Sequence, residues 1–538
     1  MSVFSDTILE HKYFYKELGE TSWNDVARRV AWEVVGKMYP SAFVPVYEMI
    51  RDKKFMPGGR YLYAAGRPYH QVNNCFLFDV EDSRGGWADL SQRVVNGLMT
   101  GGGIGVVYSK LRANGAKIKG MGGTSTGPLA LMQMINETGR HIMQGGSRRS
   151  ALWAGLHWNH PDVFDFSELK NWTQEVRDMK AADYNFPATM DGTNISIILD
   201  DAFFAAFDNP NDSMHAHARS VYWKVIKRMC KTGEPGFSID TGINSGENLR
   251  NACTEVSSRD NNDVCNLGSI NLARIENLDE FTRIVELSTL FLLCGTLYSK
   301  VPFQGIAETR DKNRRLGLGL MGMHEWLLLR GKRYGADTEL ATWLQVYAQS
   351  TGIAARYAKE LSVSAPVKTR AIAPTGTISI IAETGSGIEP IFCKSFKRRY
   401  LKGNVWHYQY VIDATAQRII DKGVNPDTIE DAYDLAQDVE RRIAFQAFVQ
   451  KYVDHSISST INLPEWGGDV NNEHNLKYFG ETLYKYLPSL RGMTAYPDGA
   501  RGGQPLTAVS YYEARSNVGT EFTEYGNDNA CIGGVCGV

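Results

Sequence analysis

Cysteine is scarce in this chain, eight residues in 538, and no two of them stand as Cys-x-x-Cys. That absence excludes a zinc ribbon. No block of Lys or Arg forms a basic tail, and 58 basic against 60 acidic residues leave a net charge of −2. Nothing therefore marks a nucleic-acid binder, although a small phosphorylated ligand needs only local positive charge and backbone N–H groups. The longest apolar stretch, Leu287 to Tyr298, is interrupted and shorter than the ~20 residues of a membrane span. The start, Met1-Ser2-Val3-Phe4-Ser5-Asp6-Thr7, lacks the basic and apolar regions of a secretory signal. Internal repeats, coiled-coil heptads and low-complexity linkers are also missing. These absences predict a cytoplasmic protein whose cysteines are free thiols, metal ligands or redox groups.

What is present is an ordinary globular balance, 43% hydrophobic and 22% charged. Residues 1–55 show apolar spacing near 3.6 over Trp23 to Met38 and Ala42 to Ile50, which predicts a helical segment. Residues 56–130 are rich in glycine, with Gly101 to Gly105 running into a β-like Val106-Val107-Tyr108. Helices are predicted at 128–142, 219–231, 279–299, 321–330, 338–361 and 428–453. Short strands are predicted at Asn194 to Leu199, Ala371 to Ala373, Ser379 to Ala382 and Leu506 to Tyr512. Strands alternating with helices argue an α/β fold, and strands that end in polar loops suit a barrel with its chemistry at the strand ends.

The cysteines differ in context. Cys230 and Cys294 sit in apolar helical runs and read as packing residues; Cys393 has no clear reading. Cys75 follows Asn73-Asn74, Cys253 lies in Asn251-Ala252-Cys253-Thr254-Glu255, and Cys265 opens Cys265-Asn266-Leu267-Gly268-Ser269. On an extended strand, Asn251, Cys253 and Glu255 would share one face and set an amide, a thiol and a carboxylate against one substrate. In a plain core, such an amide and carboxylate would be costly to bury.

Taken together, the segment 251–272 resembles the active-site strand of ribonucleotide reductase catalytic subunits. Phe55-Met56-Pro57-Gly58-Gly59-Arg60, Gln144 to Arg149, Arg314 to Gly319 and Pro374 to Ser379 resemble further signatures of that family, in family order. The resemblance implies a ten-stranded α/β barrel over 56–522, an N-terminal helical segment over 1–55 without an ATP cone, and a flexible redox tail over 523–538. It also implies reduction of ribonucleotides, diphosphates by expectation, to 2′-deoxyribonucleotides. Cys253 would carry the thiyl radical, Glu255 take the 3′-hydroxyl proton, and Asn251 bond the substrate. Cys75 and Cys265 would supply two electrons and form a disulfide, recharged by Cys531 and Cys536 of the tail from thioredoxin or glutaredoxin. Asn74, Pro374, Thr375, Gly376, Thr377 and Ile378 would hold the substrate. Asp82, Ser83, Arg112, Ile118 and Lys119, in an effector region over about 80–190, would hold a dNTP or ATP effector at a homodimer interface. The stretch Trp172 to Asn185 would report effector identity.

Two radical sources fit the resemblance. Tyr511-Tyr512, on a β-like run, matches the tyrosine pair that receives the radical from a small subunit. This reading is preferred, with no cofactor or metal bound in the chain itself. The alternative is an adenosylcobalamin-dependent reductase, which Met56 to Arg60 and Tyr496 to Pro505 resemble.

Overall fold

The computed structural model describes residues 3–144, 148–183, 186–402, 405–498, 506–518 and 521–522. Its centre is a sheet of ten hydrogen-bonded strands. The strands that position the site are β1 (Phe55–Pro57), β2 (Cys75–Asp79), β3 (Gly103–Val107), β4 (Leu152–His157), β5 (Thr193–Asp200) and β6 (Gly236–Asp240). They continue with β7 (Leu249–Arg250), β8 (Ser257–Ser258), β9 (Asp263–Asn271), β10 (Leu316–Met321), β11 (Thr460–Leu463) and β12 (Gly492–Pro497). β2 to β6 run parallel in chain order, and β12 joins β6 antiparallel with β11 parallel beside it. On the other side β9 is antiparallel to β2 and parallel to β10. The circle closes through residues 370–373, which bridge Leu318 at Arg370 and Ile457 at Ile372. β1 adds to the outer reach of β9, Met56 opposite Ser269. These strands are buried on both faces, as their near-continuous Val, Ile, Leu and Gly content requires of parallel staves with helices outside.

Helices cover the outside. His215–Thr232 and Leu278–Tyr298 lie where periodicity predicts them, the latter starting with Asn277 capping the Glu280 N–H. The second helix is long and apolar enough to cross a membrane by composition alone, yet 67% of its most apolar window is buried inside the protein. Its Phe291, Leu292 and Leu293 join the N-terminal helices Trp23–Ala31 and Phe43–Arg51 in one core cluster. A second cluster packs helices against β2 to β6.

Three sequence expectations are corrected. Residues 379–382 are not a strand; they belong to a helix, Gly376–Ala382. Tyr511 and Tyr512 are not on a strand either: the strand ends at Ala508, and Ser510 caps a helix over Tyr511–Asn517. Ser510 and Glu513 form a Ser-x-x-Glu start, a helix signal that outweighs the β preference of tyrosine. Asn251, Cys253 and Glu255 lie on a turn rather than an extended strand.

Candidate active site

β7 and β8 pair antiparallel, Arg250 opposite Ser257 and Leu249 opposite Ser258, and hold a six-residue loop between them, Asn251 to Val256. The loop sits inside the barrel. Leu249 at its base and Val256 pack with Leu77, Val107, Trp153, Ile198, Cys265 and Leu267, which the staves point inward. Glycines on β3 make the room: a Cβ at Gly105 would stand 1.8 Å from the Arg250 carbonyl oxygen, and one at Gly103 would stand 3.0 Å from Ala252 Cβ.

The loop is shaped from within. The Thr254 N–H donates to Asn251 O at 3.0 Å, and the Val256 N–H donates to Asn251 Oδ1 at 2.9 Å. Thr254 has φ 68°, the left-handed region that a β-branched residue adopts at a cost. This single reversal lets the Cys253 and Glu255 side chains serve one pocket without an extended backbone.

Cys75 and Cys265 lie directly opposite one another on β2 and β9. Directly paired antiparallel residues have Cα atoms within about 5.5 Å, inside the range that a disulfide spans. Asn251 Nδ2 donates to Cys75 Sγ at 3.2 Å, tying the loop to this pair. The backbone amides of Ala252 and Gly103 also face Cys75 and offset part of the burial that raises its pKa. The Cys265 thiol donates to Asn266 O at 3.2 Å. Electrostatic coupling reaches from Cys75 and Glu255 to Cys253 and to Cys265. The structure thus brings Cys75, Asn251, Cys253, Glu255 and Cys265 into one interior site. Of the three thiols, Cys253 alone keeps a partly exposed residue surface.

Burial sets the protonation states. Desolvation, joined by Glu255, pushes the Cys253 and Cys265 thiols well above their ordinary range and raises Cys75 to about 12. Glu255 is raised to about 7 by burial, against the hydrogen bond from Asn251. Its Oε2 is buried with no donor among the described residues, and so is Asn74 Oδ1. Asn74 stays beside the pair through its N–H to Cys265 O at 3.2 Å and its carbonyl to the Gly103 N–H at 2.8 Å.

The 374–378 segment follows the closing stave. Thr375 has φ 53° and its Oγ1 accepts from the Gly387 N–H, while Gly376, Thr377 and Ile378 form the first turn of the 376–382 helix. Pro374 is exposed at its entrance. In the effector region, Arg112 Nε bonds Asp82 Oδ2 at 2.8 Å, and Ser83 Oγ caps the helix Arg84–Met99 by accepting from the Gly86 N–H. Ile118 and Lys119 stand on a neighbouring loop, with Ile118 N–H bonded to Gly123 O. Within 172–185, Gln174–Ala182 is a helix capped by Thr173. Asn185, Gly145 to Ser147, and the tail cysteines Cys531 and Cys536 lie outside the described residues.

The profile described as "Ribonucleotide reductase, barrel domain" matches residues 73–218, 213–364 and 367–486, most of the chain. The chain belongs to the ribonucleotide reductase family. It is a catalytic subunit of that oxidoreductase family, and the α/β barrel is the frame that the resemblance implied. Among curated relatives, a "Vitamin B12-dependent ribonucleoside-diphosphate reductase" of Mycobacterium tuberculosis (strain CDC 1551 / Oshkosh) is 27% identical over 91% of this chain and 76% of its own length. A "Putative adenosylcobalamin-dependent ribonucleoside-triphosphate reductase" of Mycobacterium phage D29 is 28% identical over 85% and 75%. A B12-dependent diphosphate reductase of Thermoplasma acidophilum is 26% identical over 86% and 66%.

These names overturn the preferred radical source. A chain that binds no cofactor and takes its radical from a small subunit through Tyr512 and Tyr511 is not what these relatives resemble. The two tyrosine rings meet edge to face, 5.6 Å apart at 76°, at the start of a helix, with Tyr511 buried and the Tyr512 hydroxyl bonded to Asp427 Oδ2 at 3.3 Å.

Residues that the sequence reading missed surround the loop: Glu247, Asp263, Lys368, His455 and Ser456. Each is buried and bonded to the loop strands or their carrier strands. No spacing rule links them, because they come from four separate segments.

Proposed function

We propose that this chain reduces ribonucleoside diphosphates to 2′-deoxyribonucleotides, with adenosylcobalamin as the radical source. The observation that carries the reading is the convergence of three protonated thiols, one amide and one carboxyl of raised pKa inside the barrel. The coenzyme, when bound, supplies a carbon-centred radical able to take a hydrogen atom from a thiol. Cys253 fits that role: its burial keeps the hydrogen on sulfur, and it alone of the three retains partial exposure.

The rest follows from the chain's own groups. The Cys253 radical takes the 3′-hydrogen of the ribose. Glu255 Oε2, buried without a donor among the described residues, accepts the 3′-hydroxyl proton. The 2′-hydroxyl leaves as water. Cys75 and Cys265 give up two hydrogens, one to that water and one to C2′, and become a disulfide, while Cys253 returns the hydrogen to C3′ and Glu255 returns the proton to the 3′-oxygen. Asn74 Oδ1 suits a second ribose hydroxyl, and the N–H groups of Gly376, Thr377 and Ile378 suit the phosphates. Asp82, Ser83 and Arg112, with Ile118 and Lys119, are the effector contacts of this reading. Cys531 and Cys536 are its exchange pair toward thioredoxin or glutaredoxin, and the working form is a homodimer.

The test is turnover of CDP or ADP by the full chain with dithiothreitol, with and without adenosylcobalamin. Expected are activity only with the coenzyme, none in Cys253→Ala, and activity in Tyr511→Phe within about twofold of the parent. Turnover that appears only when radical-generating small subunits are added would overturn the proposal.

A further inference from the structure

The loop that carries Cys253 stands on two strands of two residues each, which cannot hold themselves. A buried ionic chain holds them instead. Arg315 sits between two carboxylates, its Nε 2.7 Å from Asp263 Oδ2 and its Nη2 3.0 Å from Glu247 Oε1. Lys368 Nζ binds the other oxygen of Glu247. Each residue of β8 is tied to one carboxylate: Ser257 Oγ donates to Glu247 Oε2 at 3.1 Å, and Ser258 Oγ to Asp263 Oδ2 at 2.6 Å. The adjoining strap completes the hold, as the Ser257 N–H donates to His455 Nδ1 at 3.2 Å and the Ser456 N–H to Glu255 O at 2.8 Å.

The chain of charges reaches three parts of the site. Asp263 lies two residues before Cys265 on β9. Glu247 leads into the Cys253 loop, with its carbonyl held by Arg250 Nη1. Lys368 begins the stave that runs into Pro374. All four charged residues are buried. Buried ion pairs rarely add stability over apolar packing of the same volume, so their worth lies in the geometry they fix.

We propose that the Lys368–Glu247–Arg315–Asp263 chain positions the Cys253 loop, and that the Lys368–Glu247 bond is its proton-sensitive joint. The proposal rests on Cys253 as the hydrogen-abstracting residue. Lys368 faces Glu247, Arg315, Arg250, Ser257 and His455, with Asp240 and Asp263 behind them. Burial lowers it to about 8 against the opposing pull of Glu247, with Arg315 and Arg250 adding to the fall. Burial opposes the ionisation of Glu247, but Arg315 and Lys368 hold it below its ordinary value. His455 is kept neutral by burial and the surrounding cations. Lys368 is thus the member that changes charge at moderately alkaline pH. When it does, Glu247 keeps Arg315 but loses the partner that also lies 3.4 Å from Ser257 Oγ.

The experiment compares the parent with Lys368→Arg, Lys368→Met and Glu247→Gln, as full chains with adenosylcobalamin and dithiothreitol. Expected in the parent is an alkaline fall of kcat with a midpoint near pH 8 that Lys368→Arg moves upward by at least about one unit. Lys368→Met and Glu247→Gln lose about tenfold or more in kcat, with KM within about threefold of the parent. A second readout needs no turnover: iodoacetamide labelling of Cys253, followed by mass spectrometry. Labelling is expected to be several-fold faster in Lys368→Met and unchanged in Lys368→Arg. Identical labelling rates across the variants, or an alkaline limb unmoved in Lys368→Arg, would overturn the proposal. If no variant and no parent turns over, the reductase reading fails, and the labelling comparison still decides the positioning role. Should Lys368→Met fail to fold, the pH limb of Lys368→Arg decides.

Discussion

Glu255→Gln separates the chemistry of this carboxyl from its effect on stability. In the unfolded chain Glu255 titrates at its ordinary 4.5; in the folded barrel burial raises it to about 7. Between those values the native state holds one more proton than the unfolded state. The parent's stability therefore falls as pH rises through that window, at about 1.4 kcal/mol per unit. Over the interval of 2.5 units the loss is about 3 kcal/mol. Glutamine carries no such term. An unfolding entropy of about 2.1 cal/mol/K per residue gives about 1.1 kcal/mol/K for 538 residues. The variant should consequently gain about 3 °C in melting temperature over the parent on going from pH 4.5 to pH 8. Calorimetric scans of both proteins across that range measure the difference. The parent's turnover should rise with pH around a midpoint near 7, whereas the variant should be inactive throughout. A melting difference independent of pH would refute the reasoning, because it would mean that Glu255 is not held protonated by its surroundings.

Two further outcomes follow from the loop's packing. Gly105→Ala places a Cβ 1.8 Å from the Arg250 carbonyl; overpacking of this kind costs about 1–3 kcal/mol. It should lower the melting temperature by up to about 3 °C and cut turnover by more than it cuts substrate binding. Asn251→Ala strips the Val256 N–H of its acceptor and Cys75 of its side-chain donor, a loss of about 1–3 kcal/mol by leaving a buried donor unmade. Calorimetry should show the loss, and turnover should be abolished even at saturating nucleotide.

The parts of this protein that were legible from sequence are those set by short-range signals. The helix over 215–232 and the strand over 193–200 carry clear periodicities and appear within a few residues of where these place them. The run Thr377-Ile378-Ser379-Ile380-Ile381 reads as β by composition, yet it is a helix, because the chain reverses at Thr375 and starts the turn on Gly376. The Asn-x-Cys-x-Glu spacing pointed to shared chemistry for a reason that does not hold. Alternation on a strand was the argument, whereas a left-handed Thr254 does the work on a turn. The ionic chain beneath the loop left no trace in the sequence, since its members meet only when the barrel closes. Arg315 entered only as part of the Arg314 to Gly319 signature, with no charge partner assigned to it.

The protonation of the thiols bears on which kind of cysteine chemistry this barrel supports. A nucleophilic cysteine needs its thiolate, and proteins obtain it by placing the sulfur beside cations or a helix start, which lowers the pKa. Here the surroundings do the opposite. Burial and Glu255 raise all three sulfurs, and the nearby cations are engaged elsewhere, Arg315 by Asp263 and Glu247 and Lys368 by Glu247. A thiol that keeps its hydrogen is a poor nucleophile and a ready hydrogen-atom donor. Cys75 differs in that its sulfur accepts a hydrogen bond from Asn251 Nδ2 at 3.2 Å. In the proposed mechanism that donor would steady the Cys75 sulfur when its proton leaves for the departing 2′-hydroxyl. The same interior thus keeps hydrogen on all three sulfurs, a state that the proposed radical reduction uses and nucleophilic catalysis does not.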